Sequence, residues 1–369
     1  MRFDIKSLKP ETVVQTYDHA TRTEGIMVID NTALGPGKGG IRMVPDISVQ
    51  EVERLAKAMT FKNALAKLPF GGAKSGIRMQ HGMDKDKAMR AFARGIRKFI
   101  HDEYVAGPDM NTTENEMRSF AEELNDTKAC TGKPDDMGGL PHELGSTGFG
   151  VAHSAMTAMG LLGMDVGKAR VAIEGFGNVG TFTARFLHEK GAKIVAISDL
   201  SGCLYDAKGL DVPSLLKHRD SNQYISNFPH DHFKLLPKEE LFKLEADVLI
   251  PGARPDAIND GNKAAVKARL VVEAANIPAS NAVERELEAR GIAIVPDIVA
   301  NAGGVISSYV EFIDGTEAQM FSLVKKTVTE NTQTVIKKHL ETKRDSREIS
   351  LEMAGERICA AMEKRMNAG

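Results

Sequence analysis

Apolar residues in the second half of the chain fall into short runs that are separated by segments with helical periodicity. These runs predict buried strands at residues 170–174, 193–197, 246–250, 270–273 and 292–295, and a helix between the first two strands. Short apolar strands that alternate with helices are typical of a parallel sheet, whose ligands bind at the carboxyl ends of the strands. This half of the chain is therefore predicted to be an α/β domain with a ligand site at one end of its strands.

The first half shows a different pattern, with one strand predicted at residues 25–29 and two amphipathic helices. The first helix begins after Ser48, and the second covers residues 85–99. The apolar stripe of the first helix consists of Val52, Leu55, Met59 and Ala66. Lys62 falls on that stripe and is predicted to face inward, although a buried stem with the ammonium in solvent explains its position as well.

Lys74 lies among glycine and apolar residues in a segment, residues 68–76, that is predicted to be a turn. Crowding an ammonium group with such neighbours lowers its pKa, so Lys74 is a candidate acid or base. A solvated lysine on a surface turn explains the segment equally well. Lys38 also lies beside glycines, and Asp109 follows a Gly-Pro pair at the edge of a predicted loop, where an aspartate commonly caps its own backbone.

The length and charge of the chain limit its architecture and its partners. A chain of 369 residues exceeds the usual size of one compact core, which predicts two domains with a cleft between them. A polar, glycine-rich stretch at residues 131–139 suits an interdomain connection or a mobile loop. The 48 basic and 50 acidic residues are intermixed without a polybasic block, so neither nucleic acid nor a membrane is expected as a partner.

Other features of the composition predict a soluble, cytoplasmic protein without a metal site. Three scattered cysteines form neither a disulfide framework nor a paired metal motif, and the first residues lack the apolar core of a signal peptide. No apolar run is long enough to span a bilayer. His230 and His232 lie close together without a clear third ligand, so no metal is predicted there.

Residues 175–180 carry the pattern Gly-x-Gly-x-x-Gly between a predicted strand and a predicted helix, and Asp199 ends the next strand. This context indicates a dinucleotide site, because the glycines let a pyrophosphate approach the backbone and the helix N-terminus offers free N–H groups. Asp199 can accept hydrogen bonds from a ribose and would repel a 2′-phosphate, so NAD is favoured and NADP stays possible. The segment around Lys74 lacks the glycines of an ATPase phosphate loop, and the sequence contains no hydrolase elbow.

Three lysines near the N-terminus, followed by a nucleotide domain, predict an oxidoreductase that acts on carboxylated substrates. At this point the sequence resembles the glutamate/leucine/phenylalanine/valine dehydrogenases, which oxidatively deaminate L-amino acids to 2-oxo acids and ammonia. The segments that carry the resemblance are residues 38–42, 59–63, 69–76, 107–109, 147–150, 175–180, 275–278 and 301–305. They are collinear and extend through most of the chain.

The resemblance implies roles for individual residues. Lys74 would be the catalytic lysine that activates water for attack on an imine, and Asp109 would exchange protons with the amine nitrogen. Lys62 would bind the substrate α-carboxylate. The residues expected to bind the cofactor, from the glycine pattern and the resemblance together, are Thr147, Gly175, Gly177, Asn178, Val179, Gly180, Asp199, Asn276 and Asn301.

Substrate choice depends on Lys38 and Ser308, which match a lysine and a serine of the glutamate-specific members, the lysine lying near the distal carboxylate. Gly107 and Ser75 depart from the glutamate pattern. The resulting prediction is reversible, NAD-dependent oxidative deamination of L-glutamate. Leucine, valine or phenylalanine dehydrogenase is the alternative within the class, and a non-catalytic, nucleotide-binding regulatory subunit is the alternative outside it.

The resemblance also implies a division of the chain into functional parts. Residues 1–138 are expected to bind substrate and form the oligomer, and residues 139–320 to be a Rossmann-type dinucleotide-binding domain. Residues 321–369 would be C-terminal helices that pack back towards the first domain. The assembly is expected to be a homo-oligomer, either a hexamer or an octamer.

Overall fold

The computed structural model describes residues 3–141, 144–221, 223–229 and 233–368. The chain forms two compact units. The first unit contains Met1–Leu144, Val305–Met320 and Leu351–Gly369, and the second contains Gly145–Gly304 and Phe321–Ser350. The expected divisions after residues 138 and 320 concern function and stay predictions. By contacts, the segment Val305–Met320 groups with the first unit.

The first unit is built on a mixed sheet that packs against helices. Its strands are β1 (Thr12–Asp18), β2 (Thr23–Asn31), β3 (Gly37–Lys38), β4 (Ile41–Val44), β5 (Gly71–Arg78) and β6 (Tyr104–Val105), and its helices before residue 144 are α1 (Val49–Leu65), α2 (Lys85–Ile96) and α3 (Glu114–Leu124). The strand order is β1-β2-β5-β3-β6, and β4 also pairs with β5. β2 is antiparallel to β1 and β5, whereas β3 and β4 are parallel to β5. Met27, Phe92 and Phe120 belong to the buried core of this unit.

β5 is a buried strand at the place where the sequence predicts a turn. A Cβ atom on Gly71 would lie 1.9 Å from the carbonyl oxygen of Asn31, and one on Gly72 would lie 2.1 Å from Thr60 Oγ1. The glycines therefore permit close packing against β2 and α1, and they do not reverse the chain. The prediction of a turn around Lys74 is wrong for this reason, and the predicted loop around Lys38 likewise contains a strand, β3.

Helix α1 is present as predicted, but its buried face differs from the predicted stripe. The residues that it buries are Val52, Ala56, Thr60, Phe61, Asn63, Ala64 and Leu65. Leu55, Met59 and Lys62 are only half-buried. Thr60 and Asn63 are tolerated inside because their side chains donate hydrogen bonds to the neighbouring strands β2 and β5, at 2.5 and 2.6 Å. Apolar periodicity could not identify this face, because polar residues form part of it.

The second unit contains the predicted parallel sheet. Its strands are β7 (Arg170–Glu174), β8 (Lys193–Asp199), β9 (Gly202–Tyr205), β10 (Lys234–Leu236), β11 (Val248–Pro251), β12 (Leu270–Val272) and β13 (Ala293–Val295), and its helices before residue 303 are α4 (Ser146–Leu161), α5 (Asn178–Glu189), α6 (Val212–Asp220), α7 (Asn281–Ala289) and α8 (Asp297–Ala300). The order is β10-β9-β8-β7-β11-β12-β13, and β8, β7, β11, β12 and β13 are parallel to their neighbours in this series. β9 and β10 are antiparallel additions beside β8 that the sequence did not predict.

Three helices complete the chain: α9 (Gly303–Phe312), α10 (Glu317–Thr342) and α11 (Ser346–Ala368). In the first unit, the Phe70 ring contacts the rings of Tyr309 and Phe312 on α9, with centroids 5.8 and 5.2 Å apart. Arg357 on α11 donates to the carbonyl oxygens of Ala64 and Leu68. Among the described residues, the structure contains no helix with the length and apolar character needed to cross a membrane.

Candidate active site

The structure brings two predicted catalytic residues, Lys74 and Asp109, into direct contact in the first unit. Lys74 lies in the middle of β5, and Asp109 follows β6 in a loop that pairs with β4 at a single bridge. The Lys74 Nζ atom is 3.1 Å from Asp109 Oδ2. Lys74 is 8% exposed and the Asp109 side chain 23%. The solvated surface lysine that the sequence left open is therefore excluded.

Burial and the neighbouring charges set the protonation of this pair. Burial lowers the pKa of Lys74, and the charge of Asp109 opposes only part of that effect. Burial alone would raise the pKa of Asp109, but Lys74 and Arg42 together bring it below its ordinary value. Lys74 thus loses its proton more readily than a solvated lysine does, while Asp109 stays ionised. An amine of this kind beside a carboxylate can act in acid–base chemistry.

Arg42 is a third charged group at this site, and it was not among the residues for which the sequence predicted a role. Its Nε atom lies 2.9 Å from Asp109 Oδ2, and its Nη1 atom lies 2.7 Å from Glu51 Oε1. Arg42 ends the segment 38–42 that resembles the dehydrogenases, and this membership is the signal that could have identified it.

Lys38 is a second buried lysine of the first unit and is less exposed than Lys74. Its Nζ atom is buried and donates to the carbonyl oxygen of Ala106 at 2.6 Å. Burial lowers the pKa of Lys38 to about 8. A Cβ atom on Gly107 would lie 2.7 Å from Lys38 Nζ and 3.5 Å from Thr131 Oγ1. The Thr131 hydroxyl is buried and has no hydrogen-bond partner among the residues that the structure describes. A buried ammonium near such a hydroxyl suits a carboxylate.

Thr131 was not predicted as a site residue, and the segment that contains it, residues 131–139, makes an ion pair and hydrogen bonds with α9. Lys133 Nζ lies 2.6 Å from Glu311 Oε1 on α9, and both side chains are buried. Glu311 also accepts hydrogen bonds from the backbone N–H groups of Gly132, Lys133 and Leu140. These contacts fix the segment to α9 within the first unit.

The remaining predicted substrate residues, Lys62 and Ser308, also belong to the first unit. Lys62 lies in the last turn of α1 and Ser308 lies on α9, and both are half-buried. The first unit therefore contains all five residues that the sequence assigned to catalysis or substrate binding.

The second unit contains a cavity of about 700 Å³ at the carboxyl ends of β7 and β8. The predicted cofactor residues that line this cavity are Gly175, Gly177, Asn178, Val179, Gly180 and Asp199. Asp199 is held in place, since its carboxylate accepts hydrogen bonds from Ser201 N and Oγ and from Ile225 N. These residues are arranged as a dinucleotide fold requires, at the end of parallel strands.

The glycines of this cavity fit a pyrophosphate. A Cβ atom on Gly177 would meet no heavy atom within 4 Å, so there is open space in front of the backbone where α5 begins. Gly180 has the opposite role, because its Cβ would lie 1.8 Å from the carbonyl oxygen of Gly175. Gly175 itself has a φ of +93°, which favours glycine. The turn is therefore tight on one side and open on the other, as bound phosphates need.

The other predicted cofactor residues, Thr147, Asn276 and Asn301, lie elsewhere in the second unit. Thr147 is in the first turn of α4. Asn301 Nδ2 donates to the backbone carbonyls of Ala274 and Ala275 and to Asn276 Oδ1. Its Oδ1 atom is buried and has no partner within the described part of the chain, so it offers an acceptor to an amide or amine donor.

Sequence reasoning missed the charged residues that enter the cavity from distant segments. Arg219 comes from α6, Lys238 from the segment after β10, and Arg254 from the segment after β11. Glu174, the last residue of β7, also lines the cavity, and burial raises the pKa of its carboxyl group. No motif links these positions to the glycine pattern, so only the folded chain brings them together.

The sequence predicts no metal site, either at His230 and His232 or elsewhere. His230 and His232 lie outside the described residues. Among the residues that are described, the structure contains no group of three or more histidine, cysteine, aspartate or glutamate side chains arranged to hold a metal ion.

Comparison with known proteins finds matches that together cover most of both units. A family model described as glutamate/leucine/phenylalanine/valine dehydrogenase matches residues 138–365, and a model described as the dimerisation domain of the same family matches residues 9–126. The chain is 36% identical to the NADP-specific glutamate dehydrogenase of Saccharolobus shibatae, over 97% of this chain and 90% of that protein. It is 36% identical to an NAD-specific glutamate dehydrogenase of Staphylococcus aureus, over 86% of this chain and 79% of that protein.

The fold has a counterpart of known structure. The crystal structure of a hetero-hexameric glutamate dehydrogenase from Thermus thermophilus, in a leucine-bound form, matches with a TM-score of 0.83 and 28% identity, over 96% of this chain and 90% of that chain. This match confirms the predicted two-domain α/β fold. With the family models and the relatives, it also confirms the predicted enzyme class, an NAD(P)-dependent amino-acid dehydrogenase. The chain belongs to the glutamate/leucine/phenylalanine/valine dehydrogenase family.

Proposed function

We propose that the protein catalyses the reversible, NAD-dependent oxidative deamination of L-glutamate to the corresponding 2-oxo acid and ammonia. The observation that carries the choice of glutamate is the buried ammonium of Lys38 near the buried Thr131 hydroxyl. Glutamate differs from leucine, valine and phenylalanine by a distal carboxylate, which such an ammonium stabilises. An apolar side chain at the same place would leave the buried charge without a counter-ion, at a cost in free energy.

The Lys74–Asp109 pair supplies the proton transfers of this reaction. Asp109 takes a proton from the substrate ammonium, so that the amine nitrogen carries the lone pair needed to form an imine when the α-carbon loses a hydride. Bound NAD would supply the hydride acceptor, the C4 atom of its nicotinamide ring. The neutral amine of Lys74 then takes a proton from water as the water oxygen attacks the imine carbon. The nitrogen regains a proton from Asp109 and leaves as ammonia, and the remaining hydroxyl proton passes to the Asp109 carboxylate as the carbonyl forms.

Lys62 and Ser308 complete the proposed binding of glutamate. Lys62 is assigned to the α-carboxylate and Ser308 to the distal carboxylate, together with Lys38. Two observations support these assignments. Lys62 and Ser308 lie in the same compact unit as the Lys74–Asp109 pair, and both are half-buried, so part of each residue is accessible.

The cavity of the second unit is the proposed NAD site. Gly175, Gly177 and Gly180 would hold the pyrophosphate, with Asn178 and Val179 at the start of α5, and Asp199 would bind the adenosine ribose. Thr147, Asn276 and Asn301 are assigned to the nicotinamide end. Asp199 supports NAD over NADP by repelling a 2′-phosphate. Arg219 in the same cavity keeps NADP possible, and the relatives include proteins specific for either cofactor.

The proposal extends to the oligomeric state of the protein and to its location in the cell. We propose a homo-oligomer, either a hexamer or an octamer, that is assembled through residues 1–138 and located in the cytoplasm. The match of residues 9–126 to a dimerisation domain supports the oligomer, as does the relative of known structure, which is a hetero-hexamer. Cys130, Cys203 and Cys359 are free and buried, which suits a reducing compartment.

Replacement of Lys38 by methionine tests the substrate. We expect K38M to lose at least about a hundredfold in kcat/KM for L-glutamate, because about 3 kcal/mol of charge-assisted binding disappears. Activity with L-norvaline, which lacks the distal carboxylate, should be kept or increased. The matched control is K87M, since Lys87 is an exposed lysine on α2. Equal losses for both substrates would contradict the role of Lys38, and a wild-type protein that reduces neither NAD nor NADP with any amino acid would favour the regulatory subunit.

A further inference from the structure

Four charged side chains form a continuous row in the first unit, from α1 to β5. Glu51 Oε1 lies 2.7 Å from Arg42 Nη1, Arg42 Nε lies 2.9 Å from Asp109 Oδ2, and the same Oδ2 atom lies 3.1 Å from Lys74 Nζ. All four side chains are between 10% and 25% exposed. A single carboxylate oxygen thus receives both the proposed catalytic lysine and an arginine that itself bears a second carboxylate.

The backbone around this row explains why its geometry is fixed. Arg42 lies on β4, where it is paired with Gly76 of β5, two residues after Lys74. Glu51 lies in the first turn of α1, where its N–H donates to the side chain of Ser48, the residue that caps the helix. A strand pairing and a helix cap therefore hold the two ends of the Glu51–Arg42 pair independently of Asp109.

We propose that Glu51 and Arg42 are positioning residues that orient Asp109 and limit how strongly its carboxylate holds the proton of Lys74. Arg42 and Lys74 compete for the same oxygen, so Arg42 draws off part of the negative charge that would otherwise stabilise the Lys74 ammonium. Glu51 holds the guanidinium so that Nε faces Asp109. The catalytic meaning of this arrangement depends on the proposed function, whereas the charge coupling does not.

Two other titratable groups face this row from neighbouring strands, and both have partners of their own. Tyr104 on β6 donates to the carbonyl oxygen of Gly39, and the charge of Asp109 adds to burial in raising its pKa. Lys38 on β3 donates to Ala106, and burial together with the positive charge of Lys74 lowers its pKa. Of these two groups, Lys38 adds positive charge near Lys74 but binds away from Asp109, so it does not replace Arg42.

The pH dependence of turnover distinguishes this role from a structural one. In R42Q, the loss of a positive charge beside Asp109 and Lys74 should move the acidic limb of the kcat/KM profile upward by about one pH unit, because Lys74 keeps its proton to higher pH. R42K, which keeps a cation but loses the two-sided contact, should move the limb less in the same direction. R42K carries the test if R42Q fails to fold.

The control variant is R78Q. Arg78 lies on β5, the same strand as Lys74, and pairs with Glu24 at 3.0 Å in an exposed position. Its profile should match that of the wild type. If R42Q and R42K lower kcat/KM by the same factor at every pH without moving the limb, Arg42 and its Glu51 partner only support the fold and the proposal is overturned.

A second measurement on the full-length protein needs no turnover. The rate at which acetic anhydride acetylates Lys74, followed by mass spectrometry across pH, reports the fraction of neutral amine directly. The midpoint should be higher in R42Q than in the wild type, and equal midpoints would overturn the proposal. If the midpoints differ as expected while no amino acid is oxidised, the charge coupling stands and the proposed function fails.

Discussion

Two glycine-rich segments, one in each unit, look alike in sequence and have opposite surroundings. In β5, a Cβ atom on Gly71 or Gly72 would lie about 2 Å from neighbouring heavy atoms, so these glycines admit no side chain. In the turn after β7, a Cβ on Gly177 would meet no heavy atom within 4 Å. The first set of glycines lets the chain pack closely around Lys74, and the second leaves room for a ligand. Glycine content alone therefore does not distinguish a buried strand from a binding loop.

The same contrast extends to the chemistry of the two units. The site in the first unit consists of charged side chains whose protonation depends on burial, as in Lys74 and Lys38. The site in the second unit depends on the backbone of a tight turn and the start of α5. We therefore expect the first site to be sensitive to pH and to packing, and the second to be sensitive to steric filling.

The largest expected effect is a loss of stability when a methyl group is added to a closely packed glycine. Gly72→Ala should destabilise the first unit by about 3 kcal/mol or prevent folding, because its Cβ would lie 2.2 Å from the backbone nitrogen of Thr60, which cannot move aside. Gly160→Ala in α4, where no heavy atom lies within 4 Å, is the matched control and should be neutral or slightly stabilising. Urea denaturation followed by circular dichroism measures both, and a stable G72A protein would contradict the packing role.

The next effect concerns the open glycine. Gly177→Ala should leave the fold intact but weaken NAD binding by about tenfold, since the added methyl group, at a cost of about 1.4 kcal/mol, fills space that a phosphate needs. Isothermal titration calorimetry with NAD measures this loss. Unchanged affinity in G177A would remove the pyrophosphate from the position proposed for it.

A smaller effect tests the charge dependence of the first site. Since the pKa of Lys38 is about 8, its ammonium is progressively lost above that pH. The KM for L-glutamate should therefore rise about fivefold between pH 8 and pH 9, beyond any rise for L-norvaline. Steady-state kinetics with both substrates measure the difference, and parallel changes in the two KM values would argue against a contact between Lys38 and the distal carboxylate.

The smallest effect concerns cofactor choice in the second site. Arg219→Met should raise the KM for NADP about threefold and leave the KM for NAD unchanged, because a half-exposed arginine contributes less than about 1 kcal/mol to binding a 2′-phosphate. Initial rates with each cofactor measure the ratio. An equal change for both cofactors would place Arg219 away from the 2′ position.

The sequence predicted the second unit more completely than the first, for physical reasons. The parallel strands of the second unit are buried on both faces, so continuous apolar runs mark them, and the glycine pattern lies where such a sheet places its ligand. In the first unit, β5 contains glycines and a lysine, and α1 buries Thr60 and Asn63 through hydrogen bonds. Apolar periodicity fails where polar residues are buried with partners.

The residues of the two sites likewise differ in whether the sequence could identify them. Lys74, Asp109 and the glycine turn could be identified from segments of contiguous sequence. Thr131 and Arg219 could not, because their relevance comes from contacts with residues far along the chain. The family-like segment 38–42 marks Arg42 but does not reveal its contact with Asp109. An unpaired buried hydroxyl or a carboxylate oxygen shared between two cations becomes visible only in the folded protein.

The most direct test of the proposed function is a comparison of kcat/KM for L-glutamate and L-norvaline in the wild-type protein, with NAD reduction followed by absorbance. The two amino acids have side chains of similar length and differ in the distal carboxylate. The proposed role of Lys38 predicts that L-glutamate is preferred by at least about a hundredfold. Equal or better turnover of L-norvaline would contradict the assignment of glutamate while leaving the dehydrogenase family in place.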